Sequence, residues 1–127
     1  MIKIYGIKER LDPIKATLSD VINRCMVEAI AFPDNKRAHR FFSMNKTDFF
    51  YPEGRSDAYI VIEISMIEGR SSAAKSTLIH LLFREIESVL DIAPNDVEIT
   101  IIESPACNWG FRGMTGDAAS LDYKIDV

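Results

Sequence analysis

Ala58-Tyr59-Ile60-Val61-Ile62-Glu63-Ile64-Ser65-Met66 is the stretch that decides the fold. Its first half is apolar at nearly every position, the pattern of a central strand covered on both faces. Glu63 and Ser65 then restore a period of two. Directly after it, Glu68-Gly69-Arg70-Ser71 reads as a turn with a serine able to cap a helix. Leu78, Leu81, Leu82, Ile86 and Val89 recur at helical spacing behind that turn. Ala93-Pro94-Asn95-Asp96 ends the helical region, and Val97 to Glu103 alternates again as a strand. Strand, helix and strand make a βαβ unit.

Upstream, the same order appears. Ile2 and Ile4 share one face of a first strand, with Lys3 and Tyr5 on the other. Asp12-Pro13 reads as a helix cap followed by a first-turn proline. Ile14, Leu18, Val21, Ile22, Cys25, Met26 and Ala29 form the apolar stripe. Phe32-Pro33-Asp34-Asn35 closes the helix, and Ala38 to Met44 reads as a short strand. Lys46 to Asp57 reads as a loop, and a short strand is expected near Leu121 to Val127.

The two units superimpose when the chain is shifted by 60 residues. Ile2 and Ile4 fall on Ile62 and Ile64, Arg10 on Arg70, and Lys15 on Lys75. Leu18, Val21, Ile22 and Met26 fall on Leu78, Leu81, Leu82 and Ile86. Hydrophobic matches are cheap; the two basic matches are not. A duplicated βαβ chain with right-handed crossovers predicts an α+β fold. Four strands form one mixed sheet, two helices lie on one face, and extra short strands sit in the loops and tail. The expected unit is one domain over residues 1–127, with halves of about 1–57 and 58–127. The bare sheet face calls for subunit association.

Composition narrows the function. A net charge of −4, with signs interspersed, argues against nucleic acid as a partner. No apolar run reaches the ~18 residues needed to span a bilayer, so no membrane partner is expected and the reading places the chain in the cytoplasm. Cys25 and Cys107 read as reduced thiols. Two distant histidines and no spaced ligand pattern give no metal site. No glycine-rich phosphate loop, Gly-x-Ser-x-Gly elbow or interpretable Cys-His pairing is present.

Three segments carry a resemblance. They are Ile67-Glu68-Gly69-Arg70-Ser71 with Lys75, Ile92-Ala93-Pro94-Asn95-Asp96-Val97, and Asn108-Trp109-Gly110-Phe111-Arg112-Gly113. In this order and spacing the chain resembles the longer subunits of the tautomerase superfamily, in their malonate-semialdehyde-decarboxylase-like branch. The resemblance implies a cofactor-independent enzyme that assembles as a trimer. An amino-terminal proline moves the proton there, and arginines hold the substrate carboxylate. This chain departs from that pattern in three places. It begins Met1-Ile2, with a primary amine in place of proline; bulky Ile2 leads to the expectation that Met1 is retained. Lys36 stands where that branch has an acid, and Glu68 where an arginine is expected.

Candidate site residues follow. The Met1 amine and Arg70 are the catalytic candidates, with Arg70 at a helix N-terminus where anions are favoured. Trp109 and Phe111 are candidate pocket walls, and Arg112 a second anion contact. Lys36, Arg37 and His39, in a basic run with Arg40, are further substrate-binding candidates. One reading is a tautomerase or isomerase that interconverts keto and enol forms of a small 2-oxo carboxylic acid. The other is a non-catalytic homotrimeric scaffold that binds a small anion or a protein partner. Arg70 can equally be a surface residue bridging to Glu68 or Glu103, and the basic run a solvated face.

Overall fold

The computed structural model describes every residue from Met1 to Val127. Strand β1 is Ile2–Ile7, followed by a single helical turn, α1, at Lys8–Leu11 and a 3-10 turn at Asp12–Ile14. Helix α2 is Lys15–Ile30, and β2 is His39–Met44. The second unit comprises β3 (Ile60–Ile67), α3 (Ser72–Leu90) and β4 (Val97–Ser104). A two-stranded ribbon closes the chain, β5 (Gly110–Phe111) against β6 (Met114–Thr115).

The sheet order is β2-β1-β3-β4. β1 runs parallel to β2 and β3 parallel to β4, while β1 and β3 are antiparallel. This is the duplicated, mixed four-stranded sheet that the repeat predicts. Lys3 pairs with Glu63, its counterpart 60 residues on, so equivalent residues of the two halves meet there, flanked by Ile2 on Ile64 and Ile4 on Ile62. Ile2, Ile4, Ile62 and Ile64 pack against Leu18, Val21, Ile22, Leu78, Leu82 and Ile86, all buried. The helices thus cover the face that the period-two and helical stripes point to. On the other face Tyr5 stacks on Phe42 at 4.9 Å, and Phe42 and Ile102 are exposed.

Two local expectations are corrected. Asp12 is not a helix cap: no side-chain capping bond forms, and its carboxylate instead ion-pairs with Lys8 and Lys15, each at 2.7 Å, and accepts from Ser43. The two ammonium groups outbid the backbone N–H groups that a cap would serve, and they hold the Asp12 carboxyl well below its usual range. Leu121 to Val127 forms no strand; it lies across the end of the sheet, where Ser71 donates to the Val127 carbonyl at 2.9 Å. Ser71 does cap α3 as expected, accepting from the Ala74 N–H at 3.1 Å. No helix is long and apolar enough to cross a membrane.

The core makes a simple prediction about thiols. Cys25 is buried on α2 and burial pushes its pKa up to about 11, whereas Cys107 is exposed. Only thiolates attack disulfide reagents readily. One thiol per chain should therefore titrate in native protein and two in denaturant; rapid native titration of both would mean that α2 is not seated on the sheet.

Candidate active site

Strand pairing brings the chain's first residue to the second junction. β1 begins where β3 ends, and the pairing extends one residue beyond β1. The Met1 amine donates to the Ser65 carbonyl at 2.9 Å, and the Ser65 N–H donates to the Met1 carbonyl at 2.8 Å. Two residues past Ser65 the strand stops, and Gly69 turns the chain with a φ of 143°. A side chain there would be strained, and would also press on the Ile125 carbonyl at 3.2 Å. That turn delivers Arg70 to the same end of the sheet. β2, parallel to β1, begins there too, placing His39 opposite Ile2 and Arg40 opposite Lys3. β4 ends beside β3, and the chain beyond it returns through Trp109 to Arg112.

These groups enclose a cavity of about 590 Å³. Met1, His39, Arg40, Ser65 and Arg70 line it with Lys36, Trp109, Phe111 and Arg112. Met26, Phe32, Leu121 and Tyr123 add apolar wall. Its charge is one-sided. Lys36, Arg40, Arg70 and Arg112 face it, and no Asp or Glu lines it, although the whole chain carries −4. Asp122 pairs with Lys36 at 2.6 Å from the tail, and Lys36 also lies 5.3 Å from the Tyr123 ring. Arg112 donates to the Ser120 carbonyl at 3.0 Å.

Arg70 is 6% exposed. Its one hydrogen bond in the chain is a 3.3 Å donation from Nη1 to the Ile67 carbonyl, and its Nε has no partner. Trp109 Nε1 is likewise buried and unpartnered. Buried donors left unpaired cost free energy, so they ordinarily have partners. Both residues line the electropositive cavity. The Met1 amine is held below its ordinary value of 8.0 by burial first, then by the Arg40 and Arg70 guanidiniums. As a free amine it can donate one N–H to Ser65 and keep its lone pair.

Of the residues singled out from the sequence, Met1, Lys36, His39, Arg70, Trp109, Phe111 and Arg112 all border this cavity. Arg37 does not: its guanidinium turns to Asp20 at 2.6 Å and to Ser19 at 3.3 Å on α2. Glu68 is exposed outside the cavity. Arg40, Tyr123 and Leu121 are lining residues that the sequence reading did not select. Alternation along His39–Met44 could have set Arg40 apart from the basic run, since it puts Arg40 and His39 on opposite faces. Nothing in the tail sequence signals that it folds over the cavity.

Arg10, the counterpart of Arg70 in the first half, borders a far smaller cavity. The corresponding cavity is about 90 Å³, bordered by Ile7, Arg10, Tyr59 and Ile60. Ala58 and Tyr59, which lead into β3, are buried and border it as well. Arg10 is engaged by Asp57 at 2.7 Å near the surface.

The family model described as tautomerase enzyme matches residues 36–112, more than half of the chain. A probable tautomerase of Ralstonia nicotianae, RSp0893, is 36% identical over 59 residues, which cover 46% of this chain and 84% of that protein. Among solved structures, malonate semialdehyde decarboxylase superimposes with a TM-score of 0.81 at 25% identity, covering 90% of this chain and 92% of its own. A fused 4-OT asymmetric trimer gives a TM-score of 0.81 at 27% identity, covering 92% and 96%.

Proposed function

We propose, from the premise that this chain belongs to the tautomerase family, that it catalyses keto-enol tautomerisation of a small 2-oxo carboxylic acid in the 590 Å³ cavity. The observation that carries this reading is the pair of buried, unpartnered donors, Arg70 Nε and Trp109 Nε1, on a cavity lined by cations and by no carboxylate. Arg70 receives the substrate carboxylate through a charge-assisted bond. Trp109 and Phe111 wall the substrate body. Lys36, His39 and Arg112 add polar contacts around the rim, while Arg37, facing α2, acts only through its neighbours. The Met1 amine accepts the proton from C3 and delivers it to the 2-oxo oxygen, and the step requires no cofactor.

The pH profile tests the base. Burial and two guanidiniums lower the amine's pKa, so more of it is free at a given pH than for an ordinary terminus. The active form is the unprotonated one. The rate of phenylpyruvate tautomerisation should therefore climb with pH through the lowered pKa, break below 8.0 and level off above it. A rate flat from about pH 6 to 9 would count against an amine base. Met1→Pro, encoded after an initiator methionine that processing removes, puts a secondary amine in the same place and should raise kcat. If wild type and this variant both lack turnover yet bind the anion, the scaffold reading stands in its place.

We further infer a homotrimer, supported by the trimeric 4-OT neighbour and by the exposed Phe42 and Ile102 on the sheet face away from the helices. Sedimentation should give three times the 14.4 kDa chain mass.

A further inference from the structure

One lining residue is more elaborately held than a wall needs to be. His39 opens β2 beside Ile2, and its Nδ1 lies 2.8 Å from Ser19 Oγ on α2. Ser19 Oγ in turn accepts from Arg37 Nη1 at 3.3 Å, and Arg37 is pinned to Asp20 at 2.6 Å. A hydroxyl has one proton to give. Arg37 donates to Ser19 Oγ, which leaves the Ser19 proton free to turn toward His39 Nδ1. When Ser19 gives that proton to Nδ1, the neutral ring carries its own proton on Nε2. Nε2 lies across the ring from the Ser19 bond and has no partner in the chain, and the ring borders the cavity.

We propose that His39 is a second catalytic residue, a neutral imidazole whose Nε2–H hydrogen-bonds the 2-oxo oxygen of the substrate, with Ser19 and Arg37 as positioning residues that fix its tautomer. This deepens the tautomerase reading and rests on it. The Met1 amine takes the C3 proton, and the C3–H electron pair becomes the C2=C3 bond. The carbonyl π pair moves onto oxygen, where Nε2–H meets the growing negative charge. The ammonium then returns the same proton to that oxygen, giving the enol and restoring the amine. His39 gains and loses no proton over the cycle. A donor aimed at an oxygen that becomes charged is worth more in the transition state than in the ground state. A cationic imidazole would be a poor alternative here. Burial first, then Arg37 and the Met1 terminus, lower the His39 pKa to about 4, so the ring stays neutral over the working range.

The experiment has an arm that needs no turnover. In ¹⁵N-labelled protein the His39 ring should show the Nε2–H tautomer, should remain neutral at pH 6, and its Nε2 signal should move when phenylpyruvate is added. Ser19→Ala should mix in the Nδ1–H tautomer. In kinetics with phenylpyruvate, His39→Ala should lower kcat about 100-fold with KM within about threefold, the pattern of a contact made in the transition state. His39→Gln, which keeps an N–H, should recover about tenfold of that loss. A resting Nδ1–H tautomer, an Nε2 signal unmoved by saturating phenylpyruvate, or a His39→Ala kcat within twofold of wild type overturns the proposal. Absent turnover in wild type condemns the tautomerase reading instead, and the Nε2 response still decides whether this donor meets the bound acid.

Discussion

Arg70→Ala should lower kcat/KM for phenylpyruvate by about 100- to 1000-fold, because a charge-assisted hydrogen bond is worth roughly 1.5–3 kcal/mol and the side chain can make two. The same substitution should leave stability nearly unchanged. In the free protein Arg70 makes one 3.3 Å bond, to the Ile67 carbonyl, and leaves Nε buried without a partner. Deleting a buried donor that has no partner relieves a desolvation penalty and offsets the lost contact. Burial already presses the Arg70 pKa downward, the sign of that penalty. Arg70→Lys keeps the charge without the fork and should recover only part of the rate. The two measurements are steady-state kinetics and thermal unfolding on the same preparations. A variant that unfolds early while its residual folded fraction keeps full activity would make Arg70 a structural residue and remove the carboxylate site.

Ile62→Ala should cost about 2–5 kcal/mol of unfolding free energy, a large share of the roughly 5–15 kcal/mol that a natural domain has. Ile62 is wholly buried at the middle of β3, paired with Ile4 on one side and Ile99 on the other. Both helices cover this region, so the surroundings have little freedom to collapse into the cavity left behind. Ile62→Val should cost only about 0.5–1.5 kcal/mol. Urea unfolding at fixed protein concentration checks both, since any association of subunits adds a concentration-dependent contribution. A loss below about 1 kcal/mol for the alanine variant would contradict a helix layer packed on this face.

Much of this architecture is legible in the chain because each local pattern points the same way. Ile60, Ile62 and Ile64 alternate toward a buried face, and Leu78, Leu81, Leu82 and Ile86 return at helical spacing to meet them. The offset that aligns Ile2 with Ile62 and Ile4 with Ile64 is also the symmetry of the sheet, where Ile2 pairs with Ile64 and Ile4 with Ile62. Asp12 shows the limit of such reasoning. Its sequence context is that of a helix cap, yet two lysines and Ser43 claim its oxygens. Arg37 shows it again, for its neighbours in the chain gave no hint of Asp20, which lies 17 residues away on α2.

The amino-acid order alone determined two βαβ units, their buried stripes, and an arginine at the second strand-to-helix junction. These are properties of residues two to four apart, and burial acts on such spacings directly. Only the tertiary structure decided that the Met1 amine, Arg40, Arg70 and Trp109 share one cavity, that Arg37 faces away from it, and that the tail covers it. Those relations join strand ends separated by dozens of residues. They exist because antiparallel β1–β3 pairing sets the beginning of β1 against the end of β3, and a register shifted by one residue would turn each of those side chains to the opposite face.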